Sequence, residues 1–238
     1  MGSMRPATWR FAGWDFAALQ QSRLYDALMR LPMLIWSAFL GLVTLLSLQR
    51  YMRQADPTLP DALYILNVVM RASVIAYLVV IAATVVVRRR PVGKARGVEP
   101  RISALIGTFL LTAVVVFPRR DLSMIAGLAS ALLTLAGSAF AVVVLTQLRE
   151  SFSIMAEARQ LVTTGVYRLV RHPLYLAEEV AAIGIVMQFF SPWTALILAV
   201  QISFQLRRMR NEEVILTAIF PEYLSYCKKT ARIFPGIY

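Results

Sequence analysis

The chain contains 238 residues, of which 58% are hydrophobic and only 16% are charged, and its mean hydropathy is +0.64. Soluble domains usually carry about 45–50% apolar and about 25% charged residues, so this composition excludes an ordinary soluble domain, a disordered tail and a disulfide-rich secreted module. The formal net charge is +12, from 25 Lys and Arg residues against 13 Asp and Glu residues. In a membrane protein this excess indicates cytoplasmic loops and anionic lipid headgroups, so we expect the lipid bilayer as a partner and no nucleic acid.

Apolar runs of about the length that crosses a bilayer follow one another along the chain. Residues 1–30 combine arginines with aromatic residues, which is typical of a helix at the membrane interface; a poorly ordered polar tail is the alternative. Residues 31–148 then hold four predicted spans, over 31–48, 62–87, 102–117 and 122–148. Prolines lie in the gaps between these runs, where helix ends are expected.

The pattern changes after residue 148. Residues 149–172 are polar and mixed, with Gly165 as a turn, and two shorter apolar runs follow over 174–190 and 193–206. These runs predict a helical hairpin broken at Ser191-Pro192, and an amphipathic helix is predicted from residue 207 to about residue 229. We therefore predict an all-α polytopic transmembrane helix bundle with about six spans. Its regions are an N-terminal interfacial segment (1–30), a four-span region (31–148) and a C-terminal region (149–238) that holds the hairpin.

The distribution of basic residues predicts the orientation of this bundle. If the N-terminus, the 88–101 loop, the 149–172 segment and the tail share one side, that side holds 20 of the 25 Lys and Arg residues. Short loops rich in Lys and Arg stay in the cytoplasm. We therefore expect both termini and the polar 149–172 segment on the cytoplasmic side of the membrane. The expected membrane is the bacterial inner (cytoplasmic) membrane.

Several polar residues fall inside predicted spans. Arg71 lies near the middle of the second span, with Asn67 one turn before it. An intramembrane charge usually faces a bundle interior or a cavity, so Arg71 could contact a polar substrate headgroup; snorkelling or a pair with a glutamate is the alternative. Glu178 and Glu179 begin the fifth span, within reach of the cytoplasmic interface.

A stripe of small polar residues marks the fourth predicted span. Ser130, Thr134 and Ser138 recur at intervals of four residues and therefore share one helix face. This pattern favours a helix-packing seam over a ligand-binding wall.

Two polar stretches, 160–175 and 207–213, flank the predicted hairpin. Because the hairpin returns the chain to the same side of the membrane, we expect the two stretches to meet at one interfacial site. With one cysteine, Cys227, and one histidine, His172, the chain has no Ser-His-Asp set, and cysteine-rich or histidine-rich metal sites are excluded. The residues alone thus indicate a membrane enzyme or a lipid-binding protein, without a metal centre.

Four motifs in this region resemble the isoprenylcysteine carboxyl methyltransferase family. They are Leu-Val-Thr-Thr-Gly-Val-Tyr at 161–167, Arg-His-Pro-Leu-Tyr at 171–175, Glu-Glu at 212–213 and Phe-Pro-Glu-Tyr-Leu-Ser-Tyr at 220–226. The resemblance covers about residues 145–238. It departs from the family pattern at Pro221, where glycine is usual, and at Ala231-Arg232 near the end. It implies a helical membrane bundle with a cytoplasm-facing pocket for S-adenosylmethionine.

The resemblance also implies roles for individual residues. Arg208 matches the substrate-contacting arginine of the family, and Arg208 and His172 are the catalytic candidates. The implied cofactor-binding residues are Gln160, Leu161, Val162, Tyr167, His172, Pro173, Leu174, Tyr175, Glu212 and Glu213. Tyr223 and Tyr226 are interpreted instead as interfacial anchors, which is typical of aromatic belts.

The implied reaction is an in-line methyl transfer to a lipidic or prenylated small-molecule substrate. A carboxylate acceptor needs no base, whereas an amine or hydroxyl needs one, for which His172 and Glu179 are candidates. The alternatives are a phospholipid-amine N-methyltransferase, an enzyme similar to lipid or steroid reductases, and a non-enzymatic membrane transporter or scaffold.

Overall fold

The structure is a computed structural model that describes residues 27–28, 30–54 and 60–234. Within these ranges the chain is helical apart from its loops and two strands of two residues each, which confirms the predicted all-α fold. Almost all of the predicted interfacial segment, 1–30, lies outside the described residues.

Four helical stretches in the described part of the chain are long and apolar enough to cross a membrane. They are α1 (Leu31–Arg53), α2 (Asp61–Val87), α3 (Glu99–Phe109) with its 3₁₀ continuation (Leu110–Val116), and α4 (Met124–Leu148) with the short 3₁₀ turn Arg149–Ser151. The predicted spans agree with these helices to within a few residues, except that α1 runs on to Arg53. Prolines at the first turns of α1 and α3 remove amide hydrogens that would have no partner there.

The predicted hairpin is formed by α5 (Pro173–Gln188) and α6 (Pro192–Ile219). A capping box starts α6: the Ser191 hydroxyl accepts from the Thr194 amide, and the Thr194 hydroxyl accepts from the Ser191 amide. The helix α6 is one unbroken element of 28 residues, so residues 207–219 continue it rather than starting a tail helix.

The predicted amphipathic tail helix is therefore wrong in its boundaries. Helix α6 ends at Ile219, and a separate helix α7 spans Tyr223–Lys229. Pro221 explains the break, because a proline disfavours helical geometry at the preceding residue. Phe220 accordingly has an extended conformation, with φ −115° and ψ 102°.

Helices α4 and α5 pack closely along the predicted seam. Ser130, Thr134 and Ser138 are all buried, and the Ser130 hydroxyl donates to the Gly184 carbonyl oxygen at 2.7 Å. A Cβ atom on Gly137 would lie 2.3 Å from the Ala181 amide nitrogen. The stripe therefore forms a helix-packing seam, since small residues let the two backbones approach. Thr134 and Ser138 also line an apolar cavity between the helices, so the seam does not exclude a ligand-binding wall.

Loops from three parts of the chain gather at one end of the bundle. Strand β1 (Gly93–Lys94) pairs antiparallel with β2 (Glu157–Ala158). The predicted turn at Gly165 begins a 3₁₀ helix, Gly165–Arg168, and has a φ of +61° that favours glycine. Beyond it, the Arg171 amide donates to the Ala231 carbonyl at 2.8 Å and the His172 amide to the Arg232 carbonyl at 3.1 Å.

Candidate functional site

A cavity of about 100 Å³ lies among these loops, the first turn of α5 and the polar part of α6; we call it the polar cavity because charged and hydroxyl side chains are part of its lining. It brings the stretches 160–175 and 207–213 together, as the hairpin argument predicts. Of the residues singled out from the sequence, its lining includes Gln160, Leu161, Val162, Tyr167, His172, Leu174, Tyr175, Arg208 and Glu212. Pro173 and Glu213 do not line it: Pro173 is the first residue of α5, and Glu213 lies in a neighbouring ion cluster.

Tyr175, Arg208 and Glu212 form the polar centre of the cavity. The Tyr175 hydroxyl donates to the Glu212 carboxylate, and Nε of Arg208 lies 3.4 Å from the same carboxylate. The Arg208 guanidinium also lies 4.8 Å from the centre of the Tyr175 ring. It donates to the Thr108 hydroxyl and to the Ser153 carbonyl, both at 3.1 Å. The guanidinium is thereby held in one orientation, next to a carboxylate that can still bind a cation.

Glu213 is the centre of an ion cluster beside the cavity. Its carboxylate lies 3.2 Å from Nε of Arg171 and 3.1 Å from Nε2 of His172, and it accepts two hydrogen bonds from Arg232. Burial alone would raise the pKa of Glu213, but the bonds from His172 and Arg232 and the charges of His172 and Arg171 lower it to about 2. The cluster ties the Arg-His-Pro segment to α6 and to the chain end.

Arg232 is a part of this arrangement that sequence reasoning missed. Ala231-Arg232 is one of the two places where the chain departs from the family pattern. The Arg232 side chain donates to Glu213, and the Arg232 carbonyl oxygen accepts from the His172 amide. Charge complementarity in the sequence could have predicted this contact, because Arg232 is basic and an acidic pair precedes it at 212–213.

Aromatic rings form one wall of the cavity. Tyr167, Tyr175, Tyr223 and Tyr226 all line it, and the His172 and Tyr175 rings stack with centroids 5.4 Å apart. The interfacial-anchor interpretation of Tyr223 is wrong, because this residue is only 2% exposed. Tyr226 donates its hydroxyl to the Tyr167 carbonyl at 2.5 Å, and burial raises the pKa of Tyr226 to about 12, so it remains a donor at neutral pH.

These residues fit the chemistry of S-adenosylmethionine, which carries an ammonium, a sulfonium and an adenine ring. A carboxylate such as Glu212 pairs with a cation, and tyrosine faces attract a sulfonium and stack on a base. The cavity is smaller than the roughly 300 Å³ at which ligand pockets usually begin. Side chains at its edge must therefore move to admit the whole cofactor, and exposed Gln160 and half-buried Leu161 lie there.

A second cavity of about 250 Å³ extends between helices α1 to α6 and is mostly apolar. Along α1 its lining runs from Met33 to Ser47, which corresponds to about 20 Å at the rise of an α-helix. Two residues, Phe152 and Arg208, line both this cavity and the polar one. The two cavities therefore meet at Arg208.

Glu178 is the carboxylate that faces the apolar cavity. It accepts hydrogen bonds from the Tyr77 hydroxyl at 2.9 Å and from Nε2 of Gln205 at 3.1 Å. Glu179, the base candidate from the sequence, instead accepts from Nε2 of Gln201 at 2.9 Å and does not line the cavity. Helix periodicity could have predicted that Glu178 rather than Glu179 faces the site, because Glu178 follows Tyr175 by three residues and lies on the same face of α5.

Arg71 on α2 lines the same apolar cavity as Arg208 on α6. Its Nη1 donates to the Asn67 carbonyl at 2.9 Å and to the Asn67 side-chain oxygen at 3.2 Å, and its guanidinium lies 4.3 Å from the Tyr51 ring centre. The alternative of a pair with a glutamate is not observed among the residues that the structure describes.

A family model matches the part of the chain that holds three of the four motifs, and the motif at 220–226 lies beyond the matched residues. Residues 129–218 match the family model described as "Isoprenylcysteine carboxyl methyltransferase (ICMT) family", which confirms the resemblance. This segment contains most of α4, all of α5 and nearly all of α6. The family is one of methyltransferases, which supports an enzyme.

Two curated proteins are similar over a shorter stretch. The chain is 34% identical over 82 residues to the "Nickel-cobalt-cadmium resistance protein NccN" of Alcaligenes xylosoxydans xylosoxydans, covering 34% of this chain and 38% of the relative. It is 33% identical over 78 residues to the "Cobalt-zinc-cadmium resistance protein CzcN" of Cupriavidus metallidurans, covering 32% of this chain and 36% of the relative. The matched stretch thus spans little more than a third of either relative.

Proposed function

We propose that this integral membrane protein is an S-adenosylmethionine-dependent methyltransferase that acts on a lipidic acceptor at the cytoplasmic end of its helix bundle. The observation that carries the proposal is the meeting of two unlike cavities at Arg208 and Phe152. A polar cavity with a carboxylate and tyrosine faces suits the cofactor, and an apolar cavity between helices suits the acceptor.

The residues of the site have separate roles in this proposal. When bound, S-adenosylmethionine supplies a methyl group on a positively charged sulfur. Glu212, oriented by Tyr175, pairs with the cationic part of the ligand, and the Arg208 guanidinium orients the acceptor where the cavities meet. The apolar walls exclude water from the reacting atoms. His172 acts as a positioning residue, because its Nε2 contacts Glu213.

The proposed orientation is supported by the position of the basic loop between α2 and α3. This loop pairs through β1 with β2 of the site region, and Arg89 forms an ion pair with Glu150. The end of the bundle that holds the site is therefore the end with the basic loop, which the positive-inside rule assigns to the cytoplasm. A bacterial inner membrane agrees with this arrangement.

Calorimetric titration of the detergent-solubilised protein with S-adenosylhomocysteine tests the proposal. We expect binding to the wild-type protein and a loss of affinity of about 10-fold or more in Glu212→Gln, because a charge-assisted contact is removed. Glu222→Gln is the matched control, since Glu222 is exposed outside the cavity. Absence of binding to folded wild-type protein would refute the proposal, and equal affinities of the wild-type protein and Glu212→Gln would refute the site.

A second candidate function is methyl transfer to an acceptor that carries a proton, such as a phospholipid amine, a hydroxyl or a thiol. Glu178 favours it, because a carboxylate at the inner end of the apolar cavity would repel an acceptor carboxylate but can accept a proton. In this reaction the acceptor lone pair forms the new bond to the methyl carbon. The carbon–sulfur electron pair stays on sulfur, and the acceptor proton passes to Glu178.

Transfer of labelled methyl groups into a lipid extract distinguishes the two acceptor classes. For a proton-bearing acceptor we expect Glu178→Gln to lower the rate by about 10²-fold or more, which is the usual contribution of a general base. Glu179→Gln is the control, because the neighbouring carboxylate does not line the cavity. An unchanged or higher rate in Glu178→Gln would instead support a carboxylate acceptor.

A further inference from the structure

Two arginines line the end of the apolar cavity that lies opposite Arg208. Arg71 on α2 and Arg119, which follows the 3₁₀ continuation of α3, both line the cavity. Arg71 is only 8% exposed although it lies within a membrane-spanning helix. Arg119 is exposed at the edge, 5.4 Å from the Phe189 ring centre.

Among the described residues that line the cavity, Glu178 is the only carboxylate, and it accepts hydrogen bonds from Tyr77 and Gln205 rather than from either arginine. Within the part of the chain that the structure describes, neither arginine forms an ion pair with a carboxylate, and the contacts of Arg71 are to the neutral groups of Asn67 and Tyr51. Both guanidinium groups line the same cavity. A buried cation without a counter-charge is costly, and a second cation beside it adds to that cost.

A ligand bound in the cavity can provide the negative charge that the two arginines lack. It connects the two arginines with Arg208 and Glu178 through apolar walls, and its lining on α2 runs from Met70 to Ile81, about 16 Å at the helical rise. A molecule that fills it is therefore long and apolar in the middle. An anion at its outer end would neutralise both arginines, and guanidinium groups bind carboxylates and phosphates particularly well.

We propose that the apolar cavity binds an amphiphile whose anionic group, a carboxylate or a phosphate ester, lies between Arg71 and Arg119. If this ligand is the methyl acceptor, which rests on the proposed function, it has polar groups at both ends: the methyl-accepting group near Arg208 and the anion near Arg71. Binding of the anionic amphiphile itself does not depend on the cofactor.

Binding of dodecyl phosphate to protein purified in a neutral maltoside detergent tests this inference. The thermal midpoint is measured against ligand concentration, with dodecanol and inorganic phosphate as comparison ligands. We expect stabilisation by dodecyl phosphate and an apparent affinity about 10-fold or more lower in Arg71→Gln, because hydrogen bonds to a charged group are lost. Arg50→Gln is the matched control, since Arg50 is exposed on α1 and does not line the cavity.

Four results would overturn the proposal: equal stabilisation by dodecanol, equal stabilisation by inorganic phosphate, an unchanged affinity in a folded Arg71→Gln variant, or an equal loss of affinity in Arg50→Gln. If Arg71→Gln does not fold, Arg119→Gln at the exposed edge replaces it and is expected to weaken binding in the same direction. Titration of the same variants with S-adenosylhomocysteine separates the two proposals. Arg71→Gln is expected to bind S-adenosylhomocysteine with wild-type affinity. A failure of the dodecyl phosphate test therefore leaves the methyltransferase proposal unaffected, and the reverse also holds.

Discussion

Nε2 of His172 lies 3.1 Å from Oε1 of Glu213, although the two residues are 41 positions apart in the chain. This contact joins the Arg-His-Pro segment to the Glu-Glu segment. It also separates the two glutamates by role: Glu212 faces the polar cavity, and Glu213 holds the loop that carries His172 in place.

The lowered pKa of Glu213 predicts a stability contribution that depends on pH. The pKa falls from the usual 4.5 to about 2 on folding, so the unfolded chain binds the proton more tightly. The contribution is complete above pH 4.5 and is lost as the pH falls toward 2. We expect Glu213→Gln to lower the thermal midpoint at pH 7, and the difference from wild type to shrink between pH 4.5 and 2.

The matched control for this experiment is Glu222→Gln, which changes an exposed carboxylate nearby. It is expected to leave the thermal midpoint almost unchanged at every pH, because exposed charges contribute little to stability. A difference between wild type and Glu213→Gln that stays constant down to pH 2 would contradict the ion-cluster interpretation.

Tyr175→Phe isolates the hydrogen bond to Glu212 from the packing of the ring. The variant keeps the stacking on His172 but lacks the hydroxyl that orients the carboxylate. We expect affinity for S-adenosylhomocysteine to fall by about 10-fold or more, because a hydrogen bond to a charged group is removed. Tyr175→Ala should weaken binding further. Tyr64→Phe, outside both cavities, serves as the control, and Tyr175→Phe with wild-type affinity would exclude this role.

Two glycines on α4 test the packing seam. A Cβ atom at Gly137 would lie 2.3 Å from the Ala181 amide nitrogen, whereas one at Gly127 would meet nothing within 4 Å. Gly137→Ala should therefore destabilise the protein by about 1–3 kcal/mol through overpacking, and Gly127→Ala should be neutral or slightly stabilising. Thermal unfolding in detergent measures both, and similar midpoints for the two variants would argue against the close approach of α4 and α5.

Gly165 tests the turn at the edge of the polar cavity. Its φ of +61° is unfavourable for a residue with a side chain, and a Cβ there would also displace the side chain of Gln147, which accepts from the Val166 amide. Gly165→Ala should cost about 1–2 kcal/mol. Gly165→Asn should cost less, because asparagine tolerates this conformation. A thermal midpoint lower for Gly165→Asn than for Gly165→Ala would show that the displacement of Gln147, rather than the backbone conformation, determines the cost.

Most of the helices could be predicted from local patterns. These patterns depend on neighbouring residues along one helix: apolar runs of span length, the prolines between them, and the Ser130–Thr134–Ser138 stripe. The predicted bounds of the first four spans agree with the helices to within about five residues. The tail was the exception, since the effect of Pro221 on Phe220 outweighed the amphipathic pattern. The proximity of the segments 160–175 and 207–213 followed from hairpin topology alone.

The residues facing each cavity could not be assigned in this way, because side-chain direction depends on how six helices rotate against one another. Glu178 rather than Glu179 faces the apolar cavity, Arg232 reaches Glu213, and Tyr223 is buried. Composition and periodicity thus established a helical membrane protein and the segments that carry its chemistry. Long-range packing established that two cavities meet at Arg208 and that Arg71 and Arg119 share the far end of one of them.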